Sequence, residues 1–279
     1  MRRDGLKRQL EVLLLATALA FANPSLVYAW GSATHIYIAD AVFPQCADKV
    51  NLHYGSVAPD LYGRAPPDRW PTAFQDTHYN YIDLRGCAWS PASRAFVNGW
   101  LTHNELWGAD RSAHVGKPSG GSGYVIEKAQ LLKSLFRGLD PDFAHLVVEA
   151  AVDLLVKENQ DPGIGNKLIR AAQSRSPQDL YLLASVLVLG GARTDLGTLV
   201  WAELAHRAFL IGYGTALALP TPFDRLALAG LFVALAREAY GTEIPLGEML
   251  VALMAADVLC RYDYLPVITQ TIEDIKTQM

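Results

Sequence analysis

The sequence predicts an all-α fold, a multi-helix bundle, and three observations carry that prediction. Helix starts recur as a capping residue followed by proline in the first helical position, at Ser90-Pro91, Asp140-Pro141, Asp161-Pro162, Ser176-Pro177 and Thr221-Pro222. Glycine-rich stops separate them, at 117–123, Gly190-Gly191 and Gly212–Gly214. No long alternation of apolar and polar residues is bounded by hairpin turns, so a sheet is not expected. With 51% apolar and 19% charged residues, the 279-residue chain is no disordered polymer, and it lacks the Gly or Pro period of a fibre. A pI near 6.0 gives no sign of a basic nucleic-acid-binding surface.

The elements follow in order. Arg2, Arg3, Lys7 and Arg8 precede the apolar run Leu13 to Ala22, then Asn23-Pro24 and Val27-Tyr28-Ala29. A basic start, a short apolar core and small or short residues before the cut make residues 1–29 read as a secretory signal peptide, cleaved between Ala29 and Trp30. An uncleaved anchor is the competing reading, but the run is short for a bilayer span. No later stretch is long and apolar enough to span, so the mature protein is expected to be soluble and secreted or periplasmic. Four of the 24 basic and two of the 28 acidic residues lie in that leader, which leaves the remainder more acidic.

Residues 30–160 read as a helical core and 161–279 as an apolar helical region packed upon it. Tyr54 to Cys87 is the exception to helix. It holds four prolines, several aromatics and little periodicity, and long irregular segments are often functional. Cys46, Cys87 and Cys260 leave two readings open, a Cys46–Cys87 bridge or three free thiols.

Five of the seven histidines fall in short strings. These are Trp30-Gly31-Ser32-Ala33-Thr34-His35, Ala58-Pro59-Asp60 (a carboxylate), Thr77-His78-Tyr79-Asn80, Thr102-His103, Ala109-Asp110-Arg111-Ser112-Ala113-His114 and His145 to Glu149. Histidine and carboxylate are the usual zinc ligands where no cysteine pair is at hand. At about 100° per residue, His103, Asp110 and His114 fall within roughly 40° of one another on a helix. His145 and Glu149 sit one turn apart on a second helix, and Asp153 continues that face. Two facing helices with inward His and carboxylate make a metal site in the core of a bundle.

These strings resemble the zinc-dependent phospholipase C family and, more distantly, the single-strand-specific zinc nucleases. The resemblance covers roughly residues 30–155. It implies a mostly helical fold, a multi-helix bundle with a zinc cluster of up to three ions in a cleft between helices. It implies that Trp30, as the mature N-terminus, binds one ion through its amine and carbonyl. It implies His35, Asp60, His78, His103, Asp110, His114, His145 and Glu149 as the remaining metal ligands, with Asp60 placed beside the nucleophilic water as a catalytic residue. One departure stands out: the family's Asp follows the His by four residues, whereas His103 and Asp110 are seven apart. On a continuous helix this moves Asp110 about 4.5 Å along the axis, which a bulge or local unwinding absorbs or which weakens one metal. Glu105 lies in that insertion and points about 200° away from His103 on a helix, so it reads as structural, with substitute ligand as the other reading.

The remaining residues have plainer readings. His53 is a loop residue or a neighbour of the metals, and His206 is structural. Asp76 and Asp83 could orient His78. Trp70, Phe74, Tyr79 and Tyr81 line a cleft or simply pack. Zinc lowers the pKa of a bound water to about 7, and metals some 3.5–4 Å apart can stabilise both the attacking and leaving oxygens of a phosphodiester. Asp110, between two histidines, is the natural bridging carboxylate, and Asp60 is ligand, general base or both. Three readings follow. The first is an exported phosphodiester hydrolase, with phospholipid as the family-implied substrate and contact with a membrane surface. The second is the same chemistry on nucleic acid or nucleotides, without a stable nucleic-acid partner. The third is a metal-stabilised envelope protein without turnover.

Overall fold

The computed structural model describes residues 30–79, 83–116, 121–136, 138–174, 176–191 and 194–279. The expected leader and its cleavage site, Tyr81, and residues 117–120 of the glycine-rich stop lie outside them. The described residues form eleven α-helices joined by short 3-10 and π turns, with no strand. They are α1 (Ser32–Val42), α2 (Lys49–Val57), α3 (Pro91–Leu101), α4 (Tyr124–Leu135), α5 (Pro141–Asn159), α6 (Ile164–Gln173), α7 (Pro177–Gly190), α8 (Leu196–Leu217), α9 (Phe223–Tyr240), α10 (Leu246–Cys260) and α11 (Tyr264–Gln278). None is long and apolar enough to cross a membrane among the described residues.

Local chemistry explains most boundaries. Ser90 and Ser176 each form a reciprocal capping box in front of a first-turn proline. Asp140 accepts from the amides of Asp142 and Phe143. The other two proline starts are displaced. Asp161 caps a turn by accepting from Gly163, and α6 begins at Ile164; α9 begins at Phe223, after Pro222. Gly191, with φ of 63°, ends α7 as expected. Gly212–Gly214 does not end a helix: α8 runs through it. A Cβ on Gly214 would meet the Gly165 carbonyl at 2.8 Å, and one on Gly165 would meet the Gly214 carbonyl at 2.7 Å. Here glycine lets α6 and α8 touch backbone to backbone.

The main hydrophobic core runs from Trp30 to Ile275, beside a small cluster of Ala39, Leu52 and Ala95. Helix α5 is its axis, with 15 of 19 residues buried, and it packs against α1, α4 and α10. The C-terminal helices join that same core, α8 lying on the 3-10 turn Ala58–Arg64 and α10 on α5. Helices α2 and α3 are drawn together at Gly55 and Gly99, where a Cβ would collide with the facing main chain. Beyond Val57 the irregular segment is as expected: the 3-10 turn Ala58–Arg64, a π turn Gln75–Tyr79 and a 3-10 turn Leu84–Cys87. All three cysteines are free thiols.

Candidate metal centre

The α2–α3 contact sets the first part of the site. It brings the Ser56 carbonyl to 2.8 Å from His103 Nδ1, which donates to it. The proton is thereby held on Nδ1 and the Nε2 lone pair faces inward. His78, on the π turn, is fixed in the same way. Thr77 Oγ1 gives its hydrogen to the Ala73 carbonyl and so accepts from His78 Nδ1 at 2.7 Å. Tyr62 and Phe74 hold the His78 ring, with centroids at 4.7 and 4.5 Å. Asp76 and Asp83 do not orient it: Asp76 accepts from Trp70 Nε1 and Thr72 Oγ1, and Asp83 pairs with Arg85.

The stripe expected on one helix is built differently. Helix α3 ends at Leu101, before His103. The Ala109 amide donates to Thr102 O at 2.8 Å and the Asp110 amide to His103 O at 3.0 Å, so the chain closes a neck and extrudes 104–108 as a loop. Asn104 Oδ1 fills the loop by accepting from the amides of Leu106, Trp107 and Gly108. The residues between His103 and Asp110 therefore leave the axis instead of lengthening it, and Asp110 returns beside His103. The π turn Arg111–Val115 then carries His114.

The result is a convergence of donor atoms. Asp110 Oδ1 lies 3.2 Å from His35 Nε2, and Oδ2 lies 3.0 Å from His103 Nε2 and 3.5 Å from His78 Nε2. Asp60 Oδ1 is 3.4 Å from His103 Nε2 and 3.6 Å from His78 Nε2. His78 and His103 face each other Nε2 to Nε2 at 3.2 Å. A second patch repeats the pattern: His114 Nε2 faces His145 Nε2 at 3.1 Å, and Glu149 Oε1 is 2.7 Å from His145. Three groups could hold metal ions: His35, His103 and Asp110; Asp60, His78 and His103; His114, His145 and Glu149. Two ligands each about 2.0–2.1 Å from a tetrahedral ion would lie about 3.3 Å apart, which matches these nitrogen pairs.

Charge makes the same demand. Both oxygens of Asp110 and Oε1 of Glu149 are buried without a hydrogen-bond partner. Among the described residues no Lys or Arg pairs with Asp60, Asp110 or Glu149. Burial, with Asp60, Asp153 and Asp110 around it, pushes Glu149 well above the usual carboxylate range. Burial pulls His103 down, but Asp110 and Asp60 outweigh it and hold His103 well above its ordinary value. Burial likewise raises Asp60, but His103 and His78 outweigh it and keep the carboxyl well below its usual range. Among the described residues, a proton on a histidine is the positive charge that these carboxylates meet.

Trp30 sits at the edge of this arrangement. Its ring is buried, stacks on Tyr124 at 5.4 Å and donates from Nε1 to Ser112 Oγ at 3.0 Å. Trp30 shares with Asp60 and Glu149 the lining of a cavity of about 30 Å³, room for one or two water-sized species. Asp153 fixes the segment, accepting from the amides of Ala33 and Thr34, from Thr34 Oγ1 and from Tyr213. A Cβ on Gly31 would stand 2.4 Å from the Asp153 carboxylate. His145, Glu149 and Asp153 share one face of α5, as their spacing predicts. His53 is held by Asp40 and His206 donates to the Val57 carbonyl, so neither belongs to the three groups. Glu105, which helical spacing aims away, instead contacts His114. Only the extrusion of its loop, invisible in residue spacing, brings it there.

No protein-family model, curated protein or solved structure matches this chain significantly.

Proposed function

We propose that the chain is an exported zinc-dependent hydrolase of phosphodiesters, similar to phospholipase C and acting on phospholipid. The observation that carries this reading is the set of imidazole Nε2 atoms turned toward one another and toward carboxylates that no Lys or Arg neutralises. When bound, the ions supply positive charge and Lewis acidity to a phosphoryl oxygen and acidify a nearby water. His35, Asp60, His78, His103, Asp110, His114, His145 and Glu149 would hold them, the two oxygens of Asp110 addressing different histidines. Trp30 would contribute its α-amine and carbonyl once Ala29 is removed; it lines the same cavity as Asp60 and Glu149.

Asp60 is the catalytic carboxylate. It is the most exposed of these acids, at 15%, and it stays ionised beside His103. Its role is to accept a proton from the water that attacks phosphorus. Buried Asp110 cannot meet an incoming water in that way.

The test is elemental analysis of the processed protein, followed by assays on a chromogenic phosphodiester, phosphatidylcholine micelles and single-stranded DNA. Up to three zinc ions per chain with turnover of the lipid is the expected result. Preference for DNA would move the activity to the nuclease class, and zinc without turnover would leave a metal-stabilised envelope protein. A chain without zinc overturns the reading. The N-terminus has its own comparison: protein beginning at Trp30 should hold one more ion than protein carrying an extra Met before Trp30, because an amide nitrogen offers no lone pair.

A further inference from the structure

We propose that Glu105 is the positioning residue for the His114–His145–Glu149 group and sets how tightly that group holds its ion. The inference rests on the reading that these three residues bind metal. Glu105 is buried, at 2% exposure, in the loop extruded between His103 and Asp110. Its Oε1 lies 2.5 Å from His114 Nδ1. The proton of that contact sits on Nδ1, because a carboxylate accepts. The Nε2 lone pair is then free to face His145 Nε2, 3.1 Å away. A carboxylate on the far nitrogen of a ligating imidazole fixes its tautomer and ring angle and raises its basicity.

Two further observations set Glu105 apart from a carboxylate that merely fills space. Its amide donates to the His78 carbonyl at 3.2 Å, so one residue ties the first metal patch to the second. Its Oε2 is buried with no hydrogen-bond partner, and no Lys or Arg among the described residues pairs with it. Buried carboxylates of the scaffold take a Lys or Arg, as Asp224 does with Lys157 and Asp257 with Arg225, or are filled by donors, as Asp153 is by two amides and two hydroxyls. His114 is the only charge-bearing group with which Glu105 forms an ion pair among the described residues, and it becomes an effective counter-charge once it ligates a cation.

The experiment compares processed wild type with Glu105→Gln and Glu105→Asp, using Zn²⁺ and Co²⁺ as probes. Gln keeps an acceptor but loses the charge; Asp keeps the charge but falls short of Nδ1. For Gln, one ion per chain should bind about tenfold more weakly in chelator competition, and for Asp up to about a hundredfold more weakly. The Co²⁺ absorption of that one site should change while the rest of the spectrum stays. The metal-free variants should melt with metal-free wild type. Equal affinity and equal spectra in all three proteins would overturn the inference alone. A lower melting temperature of the metal-free variants with unchanged affinity would overturn it as well, since Glu105 would then be structural. A wild-type chain that takes up no metal overturns both this inference and the reading beneath it.

Discussion

Around the C-terminal helices, buried charge is balanced within the chain. Arg207 reaches Glu203 and Asp179 and lies over the Tyr54 ring at 3.5 Å. Lys157 reaches Asp224, and Arg225 reaches Asp257 and Glu158. In the N-terminal half, Asp60, Asp110, Glu105 and Glu149 meet histidines instead. The two regions bury the same kinds of carboxylate, but only the first carries its own counter-ions. Burying a carboxylate without a partner costs several kcal/mol, and the histidine–carboxylate groups of the second region could meet that cost by holding a metal ion. The backbone differs in step: long regular helices in the C-terminal half, but π turns and an extruded loop around His78, His103 and His114, with His35 and His145 on α1 and α5.

The largest effect that would test this contrast is metal removal. Each filled site at a thousandfold excess over its Kd adds about 4 kcal/mol. Verified chelation should therefore lower the melting temperature by about 10 °C or more, at roughly 2–4 °C per kcal/mol for a chain of this size. An unchanged melting curve would erase the distinction between the halves. Next is Arg207→Ala, which strands Glu203 and Asp179 and should cost about 3–5 kcal/mol. Metal per folded chain should not change, and a loss of metal would show that the halves are not separable.

A smaller effect comes from pH. Burial pulls His206 down to about 4 from an ordinary 6.5. Between those values the unfolded chain holds a proton that the folded chain does not, so stability is full above pH 6.5 and falls as pH drops toward 4. At pH 5 this amounts to about 2 kcal/mol. His206→Gln, which keeps a donor for the Val57 carbonyl, should lose that much less stability than wild type between pH 7 and pH 5 in urea titrations of metal-free protein. The smallest effect is redox: with all three thiols free, a reductant should shift the melting temperature by less than about 1 °C.

The sequence carried much of this. Capping residues before proline mark α3, α5 and α7 because those signals act within one turn. His145 and Glu149 were legible for the same reason, being i and i+4 on an unbroken helix. The three residues of the His103–Asp110–His114 stripe all fall in groups that could hold metal, but His114 falls in a different group from the other two and they share no helix, since helical periodicity cannot see a chain that leaves its helix and returns through a neck. Gly212–Gly214 misled because glycine serves both to stop a helix and to let two helices touch, and only the facing Gly165 decides between them. Thr77 and the Ser56 carbonyl, which fix the tautomers of His78 and His103, were not legible. A hydroxyl and a main-chain oxygen carry no signature apart from the fold that aims them.

The spread of the donor atoms along the chain has a mechanical consequence. With three unpaired cysteines, the described protein has no covalent cross-link. The groups that could bind metal gather α1, the turns before α3, the extruded loop and α5 into one place. Ions held there would knot together segments from His35 to Glu149. Closing loops of that length lowers the entropy of the opened chain, as long-range disulfides do. Resistance to proteases would then follow the supply of metal rather than the redox state of the surroundings.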